Sequence, residues 1–487
     1  MIDHEIGMFL EPEYITSRLT YKGCALSDDD LARPIIGIAN SFNEMVPGHT
    51  NLRLLAQYVK YGVYRAGGTP LEFGVLACCD GIATGHCGNR YVLPSRENIA
   101  DSVEIEARAH RLDGLVLLAS CDKIVPAMLM AAARLDIPCI LLNGGCMLSG
   151  PSYGDLQKTD ATFPAEALGM LQAGKLNMSD VDALTSICVP SGGSGQFYGT
   201  ANTMGCVAEA LGMTLPGVSA IPAAYCERQR AALKTGEAVM ELVREKRTAR
   251  QILSRDSIEN AVMFLLATGG STNAVIHLCA IAHELGLSPD AVLGAIERYG
   301  KRIPLLAKIY PASRQYDMED FYRAGGVQVV FRELMEMLHG ACMTVSGTTI
   351  AENAAAYRNL YPANPDIIRT LQNPHSKLPG IAILRGSLAP DTAVAKPSGM
   401  AESVRRFTGT AVCFDGEEAC LEAIANRRIK DGDVIVVRYE GPRGGPGMRE
   451  MFRAMKLLHG QGLDLTTALV TDGRFSGTNN GCFVGHI

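Results

Sequence analysis

Leu115 to Ala119 (LVLLA) is a continuous apolar run of the kind that a parallel strand buried on both faces requires. Pro126 then opens AMLMAAARL, a good helix in which proline is tolerated in the first turn. Between strand and helix lies Ser120-Cys121-Asp122-Lys123, and a turn at that place in an open α/β sheet is where such folds keep their ligands. A thiolate, a carboxylate and an amine are costly to bury together unless something cationic or catalytic uses them. The plainer reading of the same residues is a helix-capping Asp beside a buried Cys.

The pattern recurs. Ile35–Ala39, Phe73–Ala77 and Cys139–Leu142 read as further strands, each followed by a turn containing Gly, Asn or Asp. Leu52–Ala66, Ile99–His110, Met128–Leu135, Ala201–Leu211 and Ala238–Lys246 read as helices. This alternation predicts an α/β fold: a three-layer, doubly wound, mostly parallel sheet over residues 1–350. Residues 351–378 turn polar and proline-dotted (YPANPD, QNPHSKLPG), as a linker does. Residues 379–487 carry short strands at Ile381–Leu384, Ala411–Phe414, Val434–Arg438 and Ala468–Val470, with helices at Glu417–Ala425 and Met448–His459, and predict a smaller β-rich domain. The sequence stops at Val484-Gly485-His486-Ile487, directly after a strand-like segment, which reads as an incomplete second domain.

Composition removes several classes. A net charge of −6 with no Lys/Arg stripe offers no footprint for nucleic acid. No run approaches the length of a membrane span, and MIDHEIGMF has neither the basic nor the apolar region of a signal peptide. The 15 cysteines are odd in number and scattered, several inside apolar elements (Cys139, Cys206, Cys279), which suits buried thiols in a reducing cytoplasm.

Four more segments carry polar groups to element ends. Cys79-Asp80-Gly81 follows a strand, and a lone Asp-Gly is also an ordinary turn. Glu450 closes the Gly/Pro-rich stretch 440–450, where a carboxylate serves as a metal ligand or as a partner of a helix dipole. Ser476 sits in Thr471-Asp472-Gly473-Arg474-Phe475-Ser476-Gly477-Thr478, a turn in which most serines are merely solvated. Gly269-Gly270-Ser271-Thr272-Asn273 either binds an anion or lets a helix pack closely, and close packing is the stronger reading. Hard oxygen donors at Asp80, Asp122 and Glu450, with Lys123 beside them, suit Mg²⁺ better than Zn²⁺.

Taken together these motifs are recognisable. VPGH (46–49), CDGIATGH (79–86), LPSRENIADSVE (93–104), CDKIVPAMLMAAARL (121–135), TANTM (200–204), SRDSIENA (254–261), GGSTNA (269–274), EGPRGGPGMRE (440–450) and TDGRFSG (471–477) span the whole chain. The sequence resembles the family of dihydroxy-acid, 6-phosphogluconate and aldonic-acid dehydratases, and VPGH, DGIATGH and SRENIADSVE place it nearest the dihydroxy-acid branch. Phe197-Tyr198-Gly199-Thr200-Ala201-Asn202 looks more like the phosphogluconate branch and keeps a sugar acid as second substrate class. The resemblance implies a swivelling barrel-like C-terminal domain, a homodimer, a small hydroxy-acid substrate and removal of water from a 2,3-dihydroxy acid. It further implies Mg²⁺ held by Asp80, Asp122, Glu450 and a carbamylated Lys123, Ser476 as base, and Cys121 as a ligand of an Fe–S cluster ([2Fe–2S] or [4Fe–4S]).

The chain departs from that pattern where cluster cysteines are expected. Gly192 and Gly195 stand in their places before TANTM, and Gly48 replaces a cysteine that some members carry. Thiolates normally hold such clusters. Three readings follow: Cys79, Cys146 or Cys188 substitutes, the chain works with Mg²⁺ alone, or it is an acid-binding paralogue without turnover.

Overall fold

Strands β1 (Ile35–Asn40), β2 (Thr69–Gly74), β3 (Gly114–Ala119) and β4 (Cys139–Asn143) form one parallel sheet in the order β2-β1-β3-β4. They come from a computed structural model that describes residues 6–154, 156–443, 445, 447–477 and 480–487. Met1–Glu5, Gly444 and Pro446 of the Gly/Pro stretch, and Thr478 of the serine turn lie outside those residues. Every residue of β1, β3 and β4 is buried, which is why these segments read as unbroken apolar runs. Helices Leu52–Arg65 and Cys226–Arg244 pack on each other, and Ser95–Ala109 packs on Ile124–Leu135. For this strand order, the right-handed rule for crossovers assigns one pair to each face of the sheet. Gly62 and Gly236 set the first contact. A Cβ at either would meet backbone of the opposite helix at 2.1 Å.

One strand lies elsewhere than its sequence reading. The ladder uses Thr69–Gly74 where the apolar pattern indicated Phe73–Ala77. Pro70 is tolerated because β2 is an edge strand and needs no donor on its outer side. Val75 makes a last bond to Asn40 O (2.9 Å), and residues 76–79 then leave the ladder.

The second sheet is mixed, in the order β5-β6-β10-β9-β8-β7, with β5 (Ala382–Leu384), β6 (Ala393–Ala395), β7 (Thr410–Asp415), β8 (Asp433–Arg438), β9 (Ala468–Thr471) and β10 (Cys482–Gly485). β7 to β10 run parallel, and β5 and β6 are antiparallel to their neighbours. Its core gathers Ile424, Ile435, Leu458, Leu469 and Phe483. The polar segment between the sheets lies against the first half: Ile368 bridges Ala307, and Ser376 bridges Leu305. No helix among the described residues is long and apolar enough to cross a membrane, and the fifteen cysteines are all unpaired.

Glu259, on helix Arg255–Thr268, fastens the helical region behind the first sheet. Its carboxylate accepts from Tyr299 at 2.6 Å, Arg298 at 2.7 Å and His339 at 3.0 Å. Burial works against its ionised form, but these donors outweigh it and hold the carboxyl down at about 2. A depressed carboxyl stabilises the fold above its unfolded value and loses that effect as pH falls toward the folded one. Glu259→Gln is expected to cost about 1.5–3 kcal/mol at neutral pH, the usual weight of hydrogen bonds to a charge. In urea titrations the gap to the parent should narrow as pH falls from about 4.5 toward 2.

Candidate active site

Asp122 and Lys123 follow β3, and Asp80 opens a single helical turn, Asp80–Ala83, after β2. Both lie at the carboxyl ends of the first sheet, beside the point where strand order reverses between β1 and β3. Glu450 comes from the other sheet. The sequence pattern started its helix at Met448, but the helix begins at Phe452. Glu450 instead forms a bridge with Arg474, and the backbone around them is locked by Met451 N–H to Arg474 O (2.9 Å) and Arg474 N–H to Arg449 O (3.2 Å). A first-turn dipole role for Glu450 is thereby removed. Buried Arg449 steadies the loop against Glu417 at 2.9 Å, and Asp472 accepts from the backbone N–H of Tyr439 and Glu440, each at 3.1 Å.

These elements bring Asp80, Asp122 and Glu450 together: one carboxylate oxygen from each lies within 4.8 Å of the others. Lys123 Nζ sits among them, fully buried, bonded to Asp80, 3.3 Å from Glu450 and 3.4 Å from Asp122. Arg474, also buried, pairs with Glu450 and lies 3.8 Å from Asp80. Asn273 of GGSTNA donates to Glu450 at 2.5 Å and to Thr200 at 3.1 Å. The same motif also packs closely, since a Cβ on Gly270 would reach Thr203 at 2.6 Å.

Charge is shared unevenly. Burial pushes Asp80 up to about 7 against the pull of Lys123, and Asp122 and Glu450 add to the rise. Burial raises Asp122 as well. Burial opposes ionisation of Glu450 too, yet Lys123 and Arg474 prevail and hold it down at about 2. Burial and Arg474 work against the Lys123 ammonium, but the three facing carboxylates keep it charged and its value raised.

A cavity of about 310 Å³ opens beside the cluster, lined by Asp80, Asp122, Glu450, Cys79, Cys121 and Ser476 among others. Its donors fit a hard divalent cation. Three carboxylates converge, an ammonium already stands among them, and Asp80 Oδ2 is buried without a hydrogen-bond partner. A second donor type lies adjacent. The thiols of Cys79 and Cys121 are within hydrogen-bonding reach, and that contact brings Cys79 down to about 7 while raising Cys121. Two thiols have the donor chemistry of an iron–sulfur group, at half the four thiolates usual for one. Gly195 lines the cavity, and the Phe197 ring fills the space its Cβ would take, at 2.4 Å.

All six residues singled out in the sequence therefore border one site: Asp80, Cys121, Asp122, Glu450 and Ser476 line the cavity, and Lys123 lies behind its carboxylates. Sequence reasoning passed over Asn273, Arg474 and Lys396 as members of the site. Lys396 is buried, and desolvation lowers its amine to about 7. Its Nζ donates to the carbonyl of Gly477, next to Ser476, at 2.7 Å. In a sequence, AKPSG reads as an ordinary exposed turn. Asn273 and Arg474 stand inside quoted motifs, but it takes the bridge between Glu450 and Arg474 to aim the arginine and the meeting of the two halves to aim Asn273.

Residues 33–353 match the dihydroxy-acid/6-phosphogluconate dehydratase N-terminal family, and residues 366–487 match its C-terminal counterpart. The chain is 49% identical over 464 residues, 95% of its length, to a protein of Caldanaerobacter subterraneus named dihydroxy-acid dehydratase, covering 82% of that protein. Proteins of the same name from Pyrococcus furiosus (46% over 472 residues, 96% of this chain and 84% of the relative) and Ignicoccus hospitalis (46% over 483, 99% and 86%) are similarly close. The chain belongs to the dihydroxy-acid/6-phosphogluconate dehydratase family.

The buried cation makes this cluster tolerable in the absence of metal. Replacing it by an apolar side chain of similar length should leave the carboxylates facing each other unneutralised. Lys123→Met is expected to lose about 3–5 kcal/mol in urea unfolding with chelator present, the usual cost of breaking a buried ion pair.

Proposed function

We propose that this chain is a hydro-lyase that converts a 2,3-dihydroxy carboxylic acid to a 2-keto acid, with a branched-chain dihydroxy acid as substrate. The observation that carries this reading is the convergence of Asp80, Asp122, Lys123 and Glu450, drawn from both halves of the chain, on a cavity that also holds Ser476. Names borne by relatives at 44–49% identity support the dihydroxy-acid class. The wall is in keeping with it: Pro47, Ile82, Met147, Val189, Phe197 and Phe452 give an aliphatic chain an apolar seat, beside the hydroxyls of Thr84, Thr162, Ser194 and Thr200.

Asp80, Asp122 and Glu450 would hold Mg²⁺, with Lys123 as its N-carbamate adding a fourth oxygen. When bound, Mg²⁺ would neutralise the substrate carboxylate, and an iron–sulfur group at Cys121 would supply a Lewis acid for the leaving hydroxyl. The remaining work falls to side chains. Ser476, as an alkoxide, takes the proton from C2. Its ordinary acidity is far too low for that, so positive charge is needed close by. Arg474 lies two residues away, and Lys396 holds the next carbonyl. Loss of the C2 proton and the C3 hydroxyl leaves an enol, which tautomerises to the keto acid. The apolar wall keeps water from the carbanionic centre.

The test is keto-acid formation by protein reconstituted without oxygen, with Mg²⁺, iron and sulfide supplied. A branched-chain dihydroxy acid should turn over faster than an aldonate. Asp122→Ala and Glu450→Ala should each abolish Mg²⁺ binding in calorimetry. Ser476→Ala should keep Mg²⁺ affinity while kcat falls about 10²–10⁴-fold, the weight of a lost general base. No turnover of any dihydroxy acid or aldonate would leave an acid-binding paralogue and overturn the reading.

A further inference from the structure

Cys121 enters the cavity from a backbone at φ 63°, a left-handed conformation uncommon for a residue with a Cβ. Strain of this kind persists where the surroundings fix the direction of a functional side chain. Here it turns the thiol toward Cys79, which precedes the helical turn that carries Asp80. Among the described residues these two are the cysteines that line the cavity. Cys146 and Cys188 are not among its lining residues, and Cys188 belongs to a separate small core. Facing the thiol pair, Gly48 leaves room: a Cβ there would stand 3.0 Å from Cys121 Sγ. Gly193 and Gly195 continue the same wall.

We propose that Cys79 and Cys121 together form the thiolate pair that seats an iron–sulfur group in this cavity, Cys79 supplying a ligand that Gly192 and Gly195 do not. The identity of the group rests on the dehydratase reading, and the choice of residues rests on the geometry. Donor type sorts the two metals. Thiolates select iron–sulfur groups, whereas the carboxylates a few residues away select a hard ion such as Mg²⁺. Asp80 follows Cys79 and Asp122 follows Cys121, so each strand end delivers one soft and one hard donor in consecutive positions. With two protein thiolates where four are usual, part of the iron coordination is left to ligands other than cysteine.

The test uses the full chain and two variants, Cys79→Ser and Cys121→Ser, reconstituted anaerobically with ferrous iron and sulfide. Iron and acid-labile sulfide per chain, the visible spectrum, and electron paramagnetic resonance after reduction are recorded. The parent should retain iron and sulfide through desalting. Both variants should bind them about tenfold or more weakly, while their Mn²⁺ affinity at the carboxylates matches the parent and reports an intact fold. A Cys79→Ser chain that keeps the parent's iron and sulfide, or a parent that takes up none, overturns the proposal. Keto-acid formation by iron-free protein would also overturn it and leave the dehydratase reading standing. Cys79-dependent iron uptake without turnover would uphold the proposal while the dehydratase reading fails.

Discussion

A buried ammonium facing three carboxylates governs how this molecule is put together. Lys123 lies at the end of one sheet, Glu450 belongs to the other, and Asp80 and Asp122 flank them. With Arg474 included, three carboxylates face two cations, so one negative charge remains in excess when all are ionised. Charges this deep are expensive to keep, and partners recover only part of the cost. Burial, with Asp122 and Glu450 adding to it, raises Asp80 to about 7, while Lys123 and Arg474 outweigh burial at Glu450 and hold it near 2. A divalent cation would relieve that imbalance, and the unpartnered Asp80 Oδ2 is the atom placed to receive it.

The two sheets make this possible by presenting their loops to each other. In the first, the reversal of strand order between β1 and β3 leaves a crevice into which Cys79, Asp80, Cys121 and Asp122 project. In the second, the bridge between Glu450 and Arg474 and the Arg449–Glu417 pair fix the residues that carry the Glu450 carboxylate. The site does not exist within either half alone, so its integrity depends on their contact. Asn89 of the first half accepts from the Glu450 backbone N–H at 3.1 Å, and Asn273 donates to its carboxylate, which ties the halves at the place where the chemistry is needed.

Much of the first sheet could be read from sequence because burial on both faces writes itself as an unbroken apolar run, as in LVLLA. β2 was displaced because its buried residues Thr69 and Pro70 do not look like a strand, whereas the segment after it does. At three residues β6 leaves almost no period to read, while β10 shows as the strand-like segment before the last residues. At the site, Asp122 and Lys123 were legible from their place after a strand. Glu450 was ambiguous, because a carboxylate near a helix start has a local use. Nothing local distinguishes Cys79 from the other cysteines, or Lys396 from a surface lysine. Their roles arise from what folds against them.

The central claim is that carboxylates from both sheets share one divalent cation beside the serine turn. Anomalous diffraction from crystals soaked in Mn²⁺ tests it most directly. A single strong peak coordinated at once by oxygens of Asp80, Asp122 and Glu450 is expected, and it should disappear in Glu450→Ala. A peak bound by residues of one sheet only, or a peak that survives Glu450→Ala unchanged, would contradict it.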